Sequence, residues 1–189
     1  MHAIRYLRLL ALLGALFFSG PVAGEGIAFS RGTVQLVPPG KAPLSFKVEF
    51  AITPAERRQG LMYRASLDEK AGMLFVFNES ALRHFWMKNT PLSLDILFFT
   101  EERRLVHIVP NAEPNNDKVI SSFVPVQYVL ELEAGSVSRF GLELGTALVL
   151  PAGSLIEENP LIIRQLMRRG GYKVTFYATL GLKIGQMTV

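Results

Sequence analysis

The stretch His84-Phe-Trp-Met-Lys-Asn-Thr-Pro-Leu-Ser-Leu-Asp-Ile-Leu-Phe-Phe99 decides the predicted fold, because two apolar alternations meet in it at a polar corner. Side chains alternate between the two faces of a strand. The first half therefore predicts a strand that carries three residues on one face, His84, Trp86 and Lys88. The Asn89-Thr90-Pro91 break ends it. From Leu92 to Phe98 a second strand is predicted, with its apolar residues on one face and Asp95 on the other.

Short apolar or alternating segments recur on both sides of this corner. They predict further strands at residues 33–37, 44–52, 73–77, 105–109, 126–132 and 146–150. Residues 110–122 are long and polar, which predicts a surface loop. Many short strands with only short helices between them indicate a mainly β fold, a compact small barrel or sandwich.

The predicted helices are short. Thr53-Pro54-Ala55-Glu56 has the capping-box pattern with proline at the first helical position, and Gly60 offers a left-handed end. A second capping-box pattern runs from Ser66 to Glu69, and residues 135–145 read as a turn followed by a small helix.

Residues 151–189 are expected to form an appendage to a β domain at residues 25–150. Asn159-Pro160 begins a predicted helix over Leu161 to Arg169, which ends at a glycine pair. Tyr172 to Leu180 is predicted to be a strand. The appendage would therefore be a helix followed by a strand.

Residues 1–24 have the pattern of a secretory signal peptide, with a basic start, an apolar run and small residues before a cleavage point after Ala23 or Gly24. The apolar run is too short to span a bilayer, so we expect no stable membrane anchor after cleavage. The chain has no cysteine, which excludes disulfides, thiolate metal sites and a lipid anchored through cysteine. These features predict a periplasmic or secreted bacterial protein.

The charge balance gives no indication of nucleic-acid binding. Removing residues 1–24 removes two arginines and no acidic residue, so the net charge falls from +4 to +2. Residues 25–150 carry 13 basic and 14 acidic residues, whereas residues 151–189 carry five and two. Polyanion binders usually carry a strongly basic surface. We therefore expect no nucleic-acid partner.

The arginines that follow the second strand allow two interpretations. Guanidinium groups match carboxylates and phosphates in bidentate fashion, so Arg57, Arg58 and Arg64 could form an anion site. They could equally be solvated or form structural ion pairs with Glu49, Glu56 or Asp68.

The sequence around Trp86 also allows two interpretations. Beside Lys88, Asn89 and Asp95 it could form a platform for a small ligand. It could equally be a buried tryptophan whose indole nitrogen is satisfied by Asn89 or Asp95.

Two other chemistries remain open. His84, Lys88 and Asp95 could serve a hydrolase or transferase as acid, base and orienting group, although no nucleophile motif accompanies them. A thioether and imidazole site for copper(I) could be made by His84 with three methionines, Met62, Met73 and Met87. Methionines on apolar strands are more often core residues. The sequence indicates no metal or cofactor beyond this option.

Several segments in this order and spacing resemble one known family. They are Val48–Ala51, Glu56-Arg57, Gly60–Arg64, Gly72–Phe77, Phe85–Thr90, Leu94–Ile96 and Tyr128–Leu132 before Ala134-Gly135. Together they resemble the "domain of unknown function 192" family over about residues 33 to 150. The resemblance implies a compact, mainly β, commonly exported domain without an established activity. It implies no catalytic residues.

We therefore expect an exported binding or accessory module for a small or anionic ligand, with an unknown small molecule or protein as partner. The candidate ligand-binding residues are Arg57, Arg64, Trp86, Lys88, Asn89, Asp95 and Glu131. The last of these belongs to the family-like segment Tyr128–Leu132.

Overall fold

A computed structural model of the protein describes residues 27–150 and the strands Val174–Tyr177 and Lys183–Met187. In chain order the elements are β1 Ser30–Val37, β2 Leu44–Ala51, α1 Pro54–Gln59, β3 Ala71–Ala81, β4 His84–Phe85, β5 Leu94–Phe99, β6 Leu105–Ala112, β7 Ile120–Ser121, β8 Val126–Glu133, α2 Ser136–Phe140, β9 Ala147–Val149, β10 Val174–Tyr177 and β11 Lys183–Met187. The prediction of a mainly β fold is confirmed. Among these residues no helix has the length and apolar character needed to cross a membrane.

Seven strands form one curled sheet in the order β6-β5-β8-β3-β2-β1-β9. All neighbouring strands are antiparallel except β2 and β3, which are parallel and are joined through α1. The two ends of the sheet meet near Leu105, whose N–H donates to the Thr146 carbonyl at 2.9 Å and whose carbonyl accepts from the Gly145 N–H at 2.8 Å. The sheet is therefore a half-barrel that closes at one end.

Both faces of the sheet are apolar. On β5, Leu97 and Phe99 enter one buried cluster, whereas Leu94, Ile96 and Phe98 enter a second cluster on the opposite face. A central strand that is buried on both faces reads as a continuous apolar run rather than an alternation. Each large apolar side chain removed from water contributes about 1.5–3 kcal/mol, so the two clusters are the main source of stability.

Helix α1 has the cap that its sequence predicts. The Thr53 side chain accepts from the Glu56 N–H at 3.2 Å, and the Glu56 carboxylate accepts from the N–H groups of Thr53 at 2.7 Å and Ile52 at 2.8 Å. The helix ends at Gly60, which has a φ of +46°. The positive φ favours glycine, and a Cβ atom there would lie 3.3 Å from the Phe75 ring, a tight contact that adds to this preference.

Two local predictions were wrong. Residues 66–69 form no helix, because the Asp68 carbonyl accepts from the Ala71 N–H and turns the chain directly into β3. The predicted loop at 110–122 contains the end of β6 and the short strand β7. Strand β7 has two residues and is defined by its pairing with β4, and no local sequence pattern predicts that pairing.

The predicted strand that begins at His84 is much shorter than expected. It ends at Phe85, and beyond it the Met87 N–H donates to the carbonyl of Asn116 in a loop. The expected alternation persists nevertheless, because His84, Trp86 and Lys88 are exposed while Met87 is buried. The second predicted strand is confirmed as β5, with Asp95 on the face opposite Leu94 and Ile96.

The tail is described in part. The predicted strand at 172–180 contains β10, which pairs with β11 in a separate two-stranded sheet. The predicted helix from Leu161 to Arg169 and the predicted signal peptide at residues 1–24 lie outside the described residues.

Candidate functional site

A cleft of about 620 Å³ lies on the face of the sheet that carries the second cluster. One wall is formed by α1 and the turn that follows it, and the other by the end of β3 and by β4. Clefts of this size that combine apolar walls with a few polar groups are typical of small-molecule sites. We call the part lined by Arg57, Phe77 and Arg83 the outer end and the part lined by Glu131 and Thr90 the inner end.

The outer end is shaped by an irregularity in β3. The register with β8 pairs Val76 with Tyr128 and then Ala81 with Val126, so β3 has three more residues than its partner in this interval. Two side chains donate to backbone carbonyls at the start of this interval. Arg57 Nη1 donates to the Val76 carbonyl at 3.1 Å, and Gln127 Nε2 donates to the Phe77 carbonyl at 3.0 Å. Strand irregularities of this kind commonly re-aim side chains beside functional sites.

Two guanidinium groups lie against the Phe77 ring. The Cζ atom of Arg57 is 5.0 Å and that of Arg83 is 4.0 Å from the ring centroid, within the range of cation–π contacts. Burial lowers the pKa of Arg57, and the nearby charge of Arg83 lowers that pKa further. Burial also lowers the pKa of Arg83. The outer end therefore concentrates positive charge in a partly dehydrated place.

Neither of these arginines belongs to an ion pair between residues 27 and 150. Arg57 donates to the backbone carbonyls of Ile52 and Val76, and Arg83 donates to the carbonyl of Glu79. The Nε–H of Arg83 is buried and has no acceptor within the described part of the chain. Both guanidinium groups thus keep N–H groups without a partner in this part of the chain, and both side chains line the cleft.

Aromatic rings line the cleft between its two ends. The Phe85 ring lies 5.0 Å from Phe75 and 6.4 Å from Phe77, each in an edge-to-face arrangement. Three large apolar side chains are exposed at the rim, Leu82, Trp86 and Val119. Trp86 is 52% exposed, so the interpretation as a buried tryptophan is wrong. Its ring is accompanied by the Lys88 ammonium group at 5.6 Å.

A buried carboxyl group marks the inner end. Glu131 is only 5% exposed, and its cross-strand neighbours on the two sides are the buried residues Met73 and Ile96. No hydrogen bond or ion pair joins its side chain to the rest of residues 27–150. Burial raises the pKa of Glu131 to about 8. A carboxyl group without a partner in apolar surroundings prefers its neutral form.

Asn89 fixes the wall beside Trp86 through two contacts with Tyr63. The Tyr63 N–H donates to the Asn89 carbonyl at 2.8 Å, and Asn89 Nδ2 donates to the Tyr63 hydroxyl at 2.9 Å. Both residues have a positive φ, +55° for Asn89 and +62° for Tyr63. Asparagine tolerates this conformation better than most residues. Its place in the corner therefore follows from backbone geometry.

The structure brings some of the sequence-predicted site residues together and leaves two apart. Arg57, Trp86 and Glu131 line the cleft, with Lys88 and Asn89 next to its rim. Arg64 instead pairs with Glu49, which also holds Arg31 at 3.0 Å. Of the two interpretations of Arg64, the structural ion pair is the one observed.

Asp95 is fully buried away from the cleft. Its Oδ1 atom accepts from the Asn111 N–H and its Oδ2 atom from the Val137 N–H, both at 2.8 Å. It thus ties β6 and the start of α2 to β5. Because Asp95 faces the opposite side of the sheet from the cleft, the acid–base arrangement of His84, Lys88 and Asp95 is not assembled.

The residues of the copper(I) hypothesis lie in two different environments. Met73 and Met87 are fully buried in the second cluster, whereas Met62 and the exposed His84 line the cleft. Within the described ranges, no group of three or more histidines and acidic residues could hold a metal ion.

Sequence reasoning missed Arg83 and Phe77. Arg83 directly precedes the stretch from His84 to Phe99, and Phe77 ends the predicted apolar strand at 73–77. Their proximity to Arg57 depends on the three additional residues in β3, which the sequence shows only as the polar run Asn78-Glu79-Ser80. By itself such a polar run is typical of a simple turn.

Comparison with known proteins supports the family resemblance. The family model DUF192, described as an uncharacterized ACR, matches residues 35–150. A solved structure from Sinorhizobium meliloti 1021, described as a candidate transcription regulator, is 38% identical, with 69% of this chain and 99% of that chain covered and a TM-score of 0.65. A protein of unknown function from Novosphingobium aromaticivorans DSM 12444 is 32% identical, with coverages of 69% and 90% and a TM-score of 0.62. No curated protein matches the chain.

Proposed function

The chain belongs to the domain of unknown function 192 family, and we propose that it is a binding protein for a small anionic ligand with a flat apolar body. The observation that carries this proposal is the pair of arginines at the outer end. Arg57 and Arg83 lie against one ring and form no ion pair with any residue from 27 to 150.

The energetics of the outer end favour an anion. Two cations close together in a partly dehydrated site are unfavourable: burial lowers the pKa of Arg57 most, and the charge of Arg83 lowers that pKa further. A carboxylate or phosphate would relieve the repulsion between them and accept charge-assisted hydrogen bonds, each contributing about 1.5–3 kcal/mol. We therefore expect the cleft to discriminate between an anion and a neutral molecule of the same shape.

The walls favour an aromatic or similarly flat ligand body. Phe75, Phe77 and Phe85 form a connected set of edge-to-face contacts, and Trp86 extends this surface at the rim. Stacked or edge-to-face aromatic pairs contribute about 0.5–1.5 kcal/mol beyond the area that they bury.

Binding can be measured through Trp86, which is the only tryptophan of the chain. Biphenyl-4-carboxylate and its neutral counterpart biphenyl-4-carboxamide serve as paired probes, followed by calorimetry and by the fluorescence of Trp86. We expect the carboxylate to bind at least about tenfold more tightly, since one charge-assisted hydrogen bond corresponds to about that factor.

Three variants complete this experiment. Arg57→Gln and Arg83→Gln should each remove most of the preference for the carboxylate. Arg104→Gln, an exposed arginine outside the cleft, should keep it. Equal affinity for both probes, or a preference that survives both cleft substitutions, would contradict the proposed function.

We also propose that the protein acts in the periplasm or outside the cell. The signal-peptide pattern of residues 1–24 and the lack of cysteine support this location. Mass spectrometry of the protein from a periplasmic fraction should show a mature chain that begins near residue 24 or 25. An intact chain retained in the cytoplasm would contradict it.

We do not propose a role in transcription regulation for this chain, although the Sinorhizobium meliloti protein is described as a candidate regulator. The helices within residues 27–150 have six and five residues. A recognition helix that enters the major groove of DNA needs more length and more positive charge than these offer.

A further inference from the structure

The inner end of the cleft holds one polar group that the proposed function does not explain. Glu131 projects from the centre of the sheet between Met73 and Ile96, and its carboxyl group lines the cleft. Glu131 is 5% exposed, and its side chain has no hydrogen-bond or ion-pair partner among residues 27–150. A largely buried carboxyl group that lines a cleft without a structural partner is a candidate functional group.

The two ends of the cleft are well separated. Glu131 lies opposite Met73, whereas the guanidinium groups contact Phe77, four residues further along β3. At about 3.3 Å per residue, this is roughly 13 Å along the strand. The rings of Phe75 and Phe85 occupy the interval. A ligand that reaches both ends is therefore elongated, with its apolar body between two polar groups.

We propose that the ligand carries a neutral hydrogen-bond acceptor at the end opposite its anionic group, and that the protonated carboxyl group of Glu131 donates a hydrogen bond to this acceptor. This inference rests on the proposed function, because the anionic group must first be placed at the outer end. It narrows the ligand class to elongated aromatic or apolar anions with a carbonyl, ether or similar acceptor at the far end.

The surroundings of Glu131 favour the donor role over an ion pair with a ligand cation. Its pKa of about 8 results from burial, so the neutral form predominates at neutral pH. A ligand ammonium group would have to lose its own hydration in the same apolar site, which is unfavourable unless further hydrogen bonds compensate.

The charged and titratable groups on the surrounding elements lie towards other parts of the molecule. Along the cleft wall they are at the outer end or the rim, Arg57, Arg58, Arg83 and His84. On β2, Glu49 lies beyond Met73 and is engaged by two arginines. On β5, Asp95 faces away and accepts from two backbone N–H groups. On β6, His107 pairs with Phe98 and stacks on its ring, whereas the β6 partner of Ile96 is Val109. Glu131 is therefore the titratable group that should control pH dependence at the inner end.

Three 4′-substituted biphenyl-4-carboxylates test this proposal, because they share the anionic group and the body. The 4′-acetyl probe offers a neutral acceptor, the 4′-aminomethyl probe a cation, and the 4′-ethyl probe neither. Calorimetry on the wild-type protein should show the acetyl probe binding about tenfold more tightly than the ethyl probe at about pH 6, and losing this advantage towards about pH 10.

Two variants identify the responsible group. Glu131→Gln keeps a neutral donor of the same shape, so it should keep the preference for the acetyl probe at every pH. Glu131→Met should abolish that preference without weakening the ethyl probe. If the cationic probe binds best, or if all three bind alike, the donor role of Glu131 is wrong while the anion site stands. If none of the three binds, the proposed function and this inference both fail.

Discussion

Glu49 and Glu131 are both cross-strand partners of Met73, yet only Glu49 has charged partners. Glu49 binds Arg31 and Arg64 at the surface, whereas Glu131 is buried without an ion pair among the described residues. Two carboxyl groups in one row of the sheet thus have opposite environments. Glu49 already forms the structural ion pairs of this row. An unpaired, buried acid such as Glu131 beside it is a physical indication of a functional group.

Glu131 should make stability depend on pH in a definite direction. Its pKa is 4.5 as a free group and about 8 in the folded protein, so above pH 4.5 the unfolded chain binds fewer protons than the native one. The free energy of unfolding therefore falls between pH 4.5 and about 8 and is level beyond. The full loss is on the order of 3–5 kcal/mol.

The Glu131→Gln variant isolates this contribution. Chemical denaturation at several pH values should show the variant gaining stability relative to the wild type as the pH rises from 5 to 9, because other titrations cancel in the difference. A difference that stays constant over this interval would mean that Glu131 is ionised in the folded protein.

Asp95 is predicted to be structural. Asp95 accepts hydrogen bonds from the backbone N–H groups of Asn111 and Val137. Asparagine keeps only one acceptor oxygen, so its side-chain NH₂ group would face one of these two donors. We expect Asp95→Asn to lower the free energy of unfolding by about 2–3 kcal/mol, the cost of a buried donor without an acceptor.

Thermal and urea unfolding measure this effect, with Asp117→Asn as the matched exposed substitution, which should be within about 0.5 kcal/mol of wild type. The affinity of the biphenyl probe should not change in Asp95→Asn under conditions where it is folded. A folded variant with wild-type stability and lost binding would instead assign Asp95 to the site.

Asn89 is predicted to act mainly through its backbone conformation. At a φ of +55°, alanine is disfavoured and glycine is not, so Asn89→Ala should cost about 1–2 kcal/mol and Asn89→Gly distinctly less. Tyr63→Phe removes only the hydrogen bond to the Asn89 side chain, and because Tyr63 is exposed the loss should be small. Unfolding experiments in which glycine and alanine are equally harmful would show that the side-chain contact dominates.

The sequence predicts most strands because their signals are local. Leu44–Ala51 and Leu94–Phe99 appear as alternating or continuous apolar runs, and α1 appears through its capping box. The pairing of β4 with β7 and the three additional residues of β3 were not predictable, since both depend on contacts between segments distant in the chain.

The same distinction applies to the candidate site. Arg57 stands out through the family-like pair Glu56-Arg57, and Trp86 and Glu131 stand out because they lie within family-like apolar segments. Asp95 stands out for the same reason, yet its carboxylate serves two backbone donors. Pattern alone does not distinguish a polar residue that faces a cleft from one that satisfies the backbone. Arg83 has no pattern of its own and is identified only by its contact with Phe77.

The most direct test of the anion site is the nuclear magnetic resonance signal of the arginine Nε–H groups during titration with biphenyl-4-carboxylate. The Nε–H of Arg83 has no acceptor in residues 27–150, so an anion at its guanidinium group should alter its resonance strongly. We predict that the Nε–H signals of Arg57 and Arg83 and the indole N–H signal of Trp86 shift together and saturate with one dissociation constant. Shifts confined to Arg31 and Arg64, or spread evenly over the exposed arginines, would contradict the account.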